Sequence, residues 1–142
     1  MTKLFATRWA LVATLTMLAT PAISAQQDDG APPPSKPGKP INAGEVLSGE
    51  LNAMKVRGGK KGKRIATYQI TSEPRKLPGP DGLCNLETGP ETFQLTIRGT
   101  DDEKLLKKFL GKTISIQAKE LACPQGPSEI ADAVVKSWAL AQ

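Results

Sequence analysis

Histidine is missing from all 142 residues. Its absence removes the commonest general base, proton shuttle and neutral metal ligand. Aromatic residues make up only 4% of the chain, so there are few large anchors for a core and few platforms on which nucleobases could stack. Cysteine occurs twice, at Cys84 and Cys123. Two cysteines cannot build a tetrahedral zinc set, and these two are too far apart for a redox C-x-x-C pair. A phosphate-cradling G-x-x-x-x-G-K-S/T run is also lacking: Gly58-Gly59 with Lys60-Lys61 is too short and no helix pattern follows it. No apolar run reaches the roughly 20 residues that a membrane-spanning helix requires. A Ser–Lys dyad stays open, but every nearby Ser and Lys also fits a solvated strand face. These absences argue against an enzyme, and they imply no cofactor and no metal.

What is there begins at the N-terminus. Lys3 and Arg8 precede an apolar stretch, Trp9 to Ala19, which Pro21 ends; Ala22-Ile23-Ser24-Ala25 follows. Positive residues, a short apolar run and small residues are the layout of a cleavable secretory signal over residues 1–25. An uncleaved anchor is the alternative, and the short run disfavours it. Export to the periplasm or beyond is therefore expected. Residues 26–42 open with QQDDGAPPPSKPGKP, which has no large apolar side chain. Such a segment cannot bury enough surface to offset its ordering entropy and reads as a disordered, proline-rich linker. The domain proper is expected over residues 43–142. It is small and lean in aromatics, and in an oxidising compartment Cys84 and Cys123 are expected to form a disulfide.

The whole chain carries 19 basic and 14 acidic residues. Loss of Lys3 and Arg8 leaves 17 basic residues, five of which fall between Arg57 and Arg64 in the run VRGGKKGKR. Without that run the rest is slightly acidic. The protein is thus a near-neutral domain with one concentrated positive segment.

Five extended segments and one helix are legible. In 45–56, Leu47, Leu51 and Ala53 share one parity, and Gly49 suggests a bend. Residues 64–71, RIATYQIT, are β-branched and aromatic, so the glycine-rich basic run becomes the tip of a hairpin. Residues 72–90 are a loop dense in Pro and Gly. In 91–98, Phe93, Leu95 and Ile97 alternate with polar residues. Thr100 to Glu103 has the spacing of a capping box, with Thr100 as N-cap; Leu105, Leu106, Phe109 and Leu110 then form one apolar face, and Gly111 is the expected stop. That N-terminal role also accounts for the Asp101, Asp102 and Glu103 cluster without a metal. A fourth strand over 112–121 inwardly places Ile114, Ile116 and Ala118. Residues 131–140 suit a strand better than a helix, given Val134-Val135 and Trp138.

Strand, strand, strand, helix, strand, strand predicts a mainly β protein with one helix between strands 3 and 4. That order is the plan of the OB-fold, a small five-stranded barrel. The stretch LLKKFLGKTISIQAKEL resembles the helix-to-fourth-strand passage of small exported bacterial OB-fold domains. The resemblance spans residues 44–140, is one of pattern and implies no catalytic residues. An open sheet packed on one helix fits the same string.

Two readings of the basic run follow. In the first, glycines supply the turn and lysines keep it soluble. In the second, Arg57, Lys60, Lys61, Lys63 and Arg64, with Tyr68 nearby, bind an anionic envelope component or an acidic protein. Nucleic acid is not expected, because stacking aromatics are lacking. The leading expectation is a non-catalytic, secreted or periplasmic binding module. The alternative is a small inhibitor or assembly factor that acts through the disulfide-pinned loop 74–90.

Overall fold

The computed structural model describes residues 35–58 and 62–141. The expected signal segment, most of the proline-rich linker, and Lys60 and Lys61 lie outside these residues. The elements in chain order are β1 (Lys39–Pro40), β2 (Val46–Gly58), β3 (Lys63–Thr71), β4 (Arg75–Lys76), β5 (Thr92–Leu95), α1 (Thr100–Lys107), β6 (Thr113–Ala122) and β7 (Ala133–Leu140). The protein is mostly β, with one helix lying between β5 and β6, the third and fourth of the five strands that form the main sheet. Residues 133–140 are a strand, as the Val134-Val135 pair implied.

The pairings of the main sheet follow the order β2-β3-β5-β7-β6, and β6 returns to pair with β2. All contacts are antiparallel except β5 with β7. Strand β2 serves two partners. Val46 to Glu50 pair with β6, and Glu50 to Gly58 pair with β3. The handover falls at Glu50, and at Gly49 just before it an added Cβ would lie 2.1 Å from the Thr71 carbonyl oxygen. A glycine is required there because the neighbouring backbone occupies the space of a side chain.

Alternation sets which residues face inward. Leu47, Leu51, Tyr68, Ile70, Phe93, Leu95, Ile114, Ile116, Ala118, Val135 and Trp138 are all buried in one core. Ala53 has the inward parity of Leu51 but is exposed. Beyond Leu51, β2 has outrun β6 and pairs with β3 alone, so nothing remains for Ala53 to pack beneath. The β2–β3 hairpin therefore projects as a two-stranded arm.

The helix begins differently from the capping box. Gly99 is the N-cap, with no side-chain cap, and Thr100 is already helical. Asp102 takes the role of reaching back: its Oδ2 accepts the Arg98 backbone N–H at 3.1 Å and the Arg98 Nε–H at 3.2 Å. These charge-assisted bonds tie the chain ahead of the helix to its first turn. The apolar face is also narrower. Leu106 is buried and Phe109 packs on the core, but Leu110 is 39% exposed. The helix ends at Lys107, and Gly111, at φ 72°, turns the chain so that its N–H meets the Leu51 carbonyl at 2.8 Å.

The C-terminal end of the proline-rich segment belongs to the fold. Lys39 and Pro40 pair in parallel with Arg75 and Lys76, and Ile41 is 1% exposed within the core. Gly38 lies so close to Pro74 that a Cβ would meet its carbonyl oxygen at 2.2 Å. The one large apolar residue of residues 26–42, Ile41, is what draws this end into the domain.

The expected disulfide is present. Cys84 and Cys123 are joined with their Cα atoms 5.4 Å apart, which ties the loop after β4 to the end of β6.

Candidate functional site

The basic arm is built by register. Arg57 pairs with Arg64, Val56 with Ile65 and Gly58 with Lys63. Directly paired residues share a face and neighbours alternate. Arg57 and Arg64 thus occupy one face of the arm, with Lys55 and Ala66. Lys63 stands on the other, with Val56 and Ile65. All three described basic residues of the run are exposed, and among the described residues none forms an ion pair. Residues 51–72 contain no acid at all. Two arginines directly opposite each other repel, a cost that an anion on that face would relieve.

Tyr68 does not belong with them. It is 1% exposed and sits in the core. It shares the parity of Ile70, and at that point the sheet has closed over the inner face. Burial, and next the negative charge of Glu103, hold its phenol above the ordinary value of 10.0, while Lys107 opposes the shift. Glu103 itself is lowered, chiefly by its hydrogen bond to Lys107 at 2.8 Å. Because Tyr68 is the only tyrosine, an ultraviolet titration should show a single phenol ionising above pH 10. The folded pKa is raised, so its stabilisation is complete below the unfolded value. It is then lost as pH rises through the folded value. A phenol titrating at or below its ordinary value in the folded protein would contradict the buried placement.

Beside the arm lies a groove of about 310 Å³. One wall is β3 from Ile65 to Thr67, another is the chain from Gln94 to Ile97, and Ser128 and Glu129 close the far side. Gln94 fixes that side: its Nε2 donates to the Ser128 carbonyl at 3.1 Å, and its Oε1 accepts the Ile130 N–H at 3.0 Å. Asp132 and Thr92 lock the same loop reciprocally. Asp132 Oδ2 accepts the Thr92 N–H at 3.0 Å, and Thr92 Oγ1 accepts the Asp132 N–H at 2.9 Å. The apolar contribution is conspicuous. Ile65 is 50% exposed although its strand partner Val56 and a groove lie beside it.

The structure therefore brings Arg57 and Arg64 together, sets Lys63 on the groove side and removes Tyr68 from the surface. Sequence reasoning missed Val56, Ile65, Gln94, Thr96, Ser128 and Glu129. Their one advance signal was Ile65, an apolar residue inside a basic hairpin. Among the described residues, no cluster of three or more His, Cys, Asp or Glu side chains could hold a metal ion. No helix among them is long and apolar enough to cross a membrane. The chain matches no family model, no curated protein and no solved structure.

Proposed function

We propose that this chain is an exported, non-catalytic binding module of the OB type, which uses the β2–β3 arm and the adjoining groove to hold an anionic partner. The carrying observation is the arm itself: an acid-free hairpin whose arginines stand opposite each other and outside any ion pair among the described residues. The strand order, with the helix between the third and fourth strands of the main sheet, supports the OB reading. In that fold, the face of strands 2 and 3 and the loops at its two ends take oligonucleotides and oligosaccharides. Here the corresponding face carries the groove, bounded by the arm and by the loop between β6 and β7. The near-neutral remainder of the domain concentrates its positive field on this one feature. Lys60 and Lys61 extend the same charge run in sequence. An acidic envelope protein or anionic envelope polymer is the partner class, in keeping with a disulfide-bonded exported chain.

Replacing Arg57, Lys63 and Arg64 with glutamine tests this. Three exposed contacts of about 0.5 kcal/mol each amount to roughly tenfold in affinity. Retention of the protein on immobilised polyglutamate should fall by that factor, and its salt dependence should flatten. Equal retention of variant and parent at low and high salt would remove the charged-arm reading.

A second reading rests on the loop between β4 and β5. It is anchored by the disulfide and is tightly folded, with Gly82 against the Leu77 carbonyl, yet Leu86 is 38% exposed at its surface. A rigid loop with an exposed leucine suits insertion into a partner. Substitution at Leu86, with the arm intact, separates this reading from the first.

A further inference from the structure

We propose that the outer edge of β3, from Lys63 to Thr67, is a docking edge for an extended polypeptide strand whose residues alternate acidic and apolar. This rests on the binding-module reading above and names its partner class. The first observation is topological. β3 pairs with β2 along its whole length but with β5 only from Tyr68 to Thr71. From Lys63 to Thr67 its other edge has no strand partner among the described residues. Along such an edge every second residue turns both its N–H and its C=O outward.

The second observation is the lining of the groove. A groove lying over one face of a sheet is lined by every second residue. This one is lined by Ile65, Ala66 and Thr67 in succession. The groove covers the outer face at Val56, Gly58, Ile65 and Thr67, and Ala66, between the last two and of the opposite parity, brings it round to the free edge of β3. The pairing of the neighbouring chain with β3 ends at Leu95. Five residues of edge span about 17 Å, long enough for a short added strand lying about 4.8 Å away.

The third observation decides the partner's chemistry. A strand added to β3 places its side chains on the two faces that β3 already defines. Residues beside Ile65 and Thr67 would face the apolar Val56–Ile65 side. Residues beside Arg64 and Ala66 would face the opposed Arg57 and Arg64. Apolar side chains suit the first face, and carboxylates suit the second, where they would neutralise the facing arginines. Exposed edges are commonly guarded by lysine against such pairing. Lys63 and Arg64 do guard this edge against basic or neutral strands, and the same charges select an acidic one.

The test uses the oxidised protein and three synthetic nine-residue peptides. The first alternates glutamate and valine. The second has the same composition in two blocks. The third alternates but carries N-methyl groups on every second backbone nitrogen, on the edge that would face β3. The alternating peptide should bind on the order of tenfold more tightly than the other two, because only it can form the ladder and satisfy both faces. Amide exchange should slow in residues 63–67 when it binds and stay unchanged on β6. Equal binding of the alternating and block peptides, abolished by neutralising the arm, would overturn strand addition and leave the charged-arm reading standing. Equal binding of the N-methylated peptide would overturn strand addition alone. Failure of every peptide, and of polyglutamate, to bind would overturn both.

Discussion

Replacing Cys84 and Cys123 with serine should lower the unfolding free energy by about 3–4 kcal/mol, the chain-entropy value for a closed loop of this length. The bond spans 39 positions and joins the loop after β4 to the residue after β6. Both sulfurs pack against the core. The loop it holds is conformationally costly. Cys84 and Asn85 have φ of 50° and 62°, left-handed values that cost a non-glycine residue roughly 1 kcal/mol each. Two turn hydrogen bonds oppose that cost, Cys84 N–H to the Asp81 carbonyl and Leu86 N–H to the Leu83 carbonyl, both at 2.9 Å. With the cross-link removed, these two residues are free to leave the left-handed region. A domain of this size should lose about 15–25 °C of melting temperature. Calorimetry of oxidised and reduced protein measures it directly. Near-equal melting temperatures would mean that the cross-link constrains little of the unfolded chain, and the small core would have to suffice alone.

The second large effect is expected at Trp138. Its ring is 2% exposed in β7, and its Nε1 donates to the Thr96 carbonyl at 2.9 Å. Arg98 lies over the ring at 5.5 Å and donates through Nη2 to the Trp138 carbonyl at 3.1 Å. One side chain thus fills the core and also fastens the segment that has just left β5. Trp138→Ala should cost about 3–5 kcal/mol from lost burial and the remaining cavity. The orphaned Thr96 carbonyl adds to this. Trp138→Phe keeps most of the volume and loses the hydrogen bond, so it should cost less than the alanine change and report on the polar part. Denaturant titration of the three proteins gives the order. If Trp138→Ala were milder than about 1 kcal/mol, the residue could not be the anchor described.

Much of the fold was legible because alternation and burial report the same thing in a sheet. Phe93 with Leu95, and Ile114 with Ile116 and Ala118, all face inward as their parity required. Gly49 marked a bend, and a close backbone approach is what it permits. The disulfide followed from two cysteines and the expectation of export. Ala53 shows the rule's limit, since parity says which side a residue faces and not whether anything covers that side. Tyr68 was grouped with the basic run because it is near in sequence, yet three residues of β-strand carry it from the exposed arm into the core. The N-cap is Gly99 and not Thr100, and Asp102 in the first turn bonds back to Arg98, a contact that capping preferences alone do not rank. The groove had no local signature. Its walls come from residues 56 to 134, and only strand pairing brings them side by side.

Composition and periodicity alone determined a mostly β domain with one helix, one cross-link and one concentrated block of positive charge, because each depends on residues close in sequence or on simple counts. The tertiary structure decided the rest: which charges share a face, that the arm outruns its neighbours, and that an unpaired edge runs beside a groove. Those depend on where β2 and β3 stop pairing with β6 and β5, a length mismatch between strands far apart in the chain that no local pattern encodes.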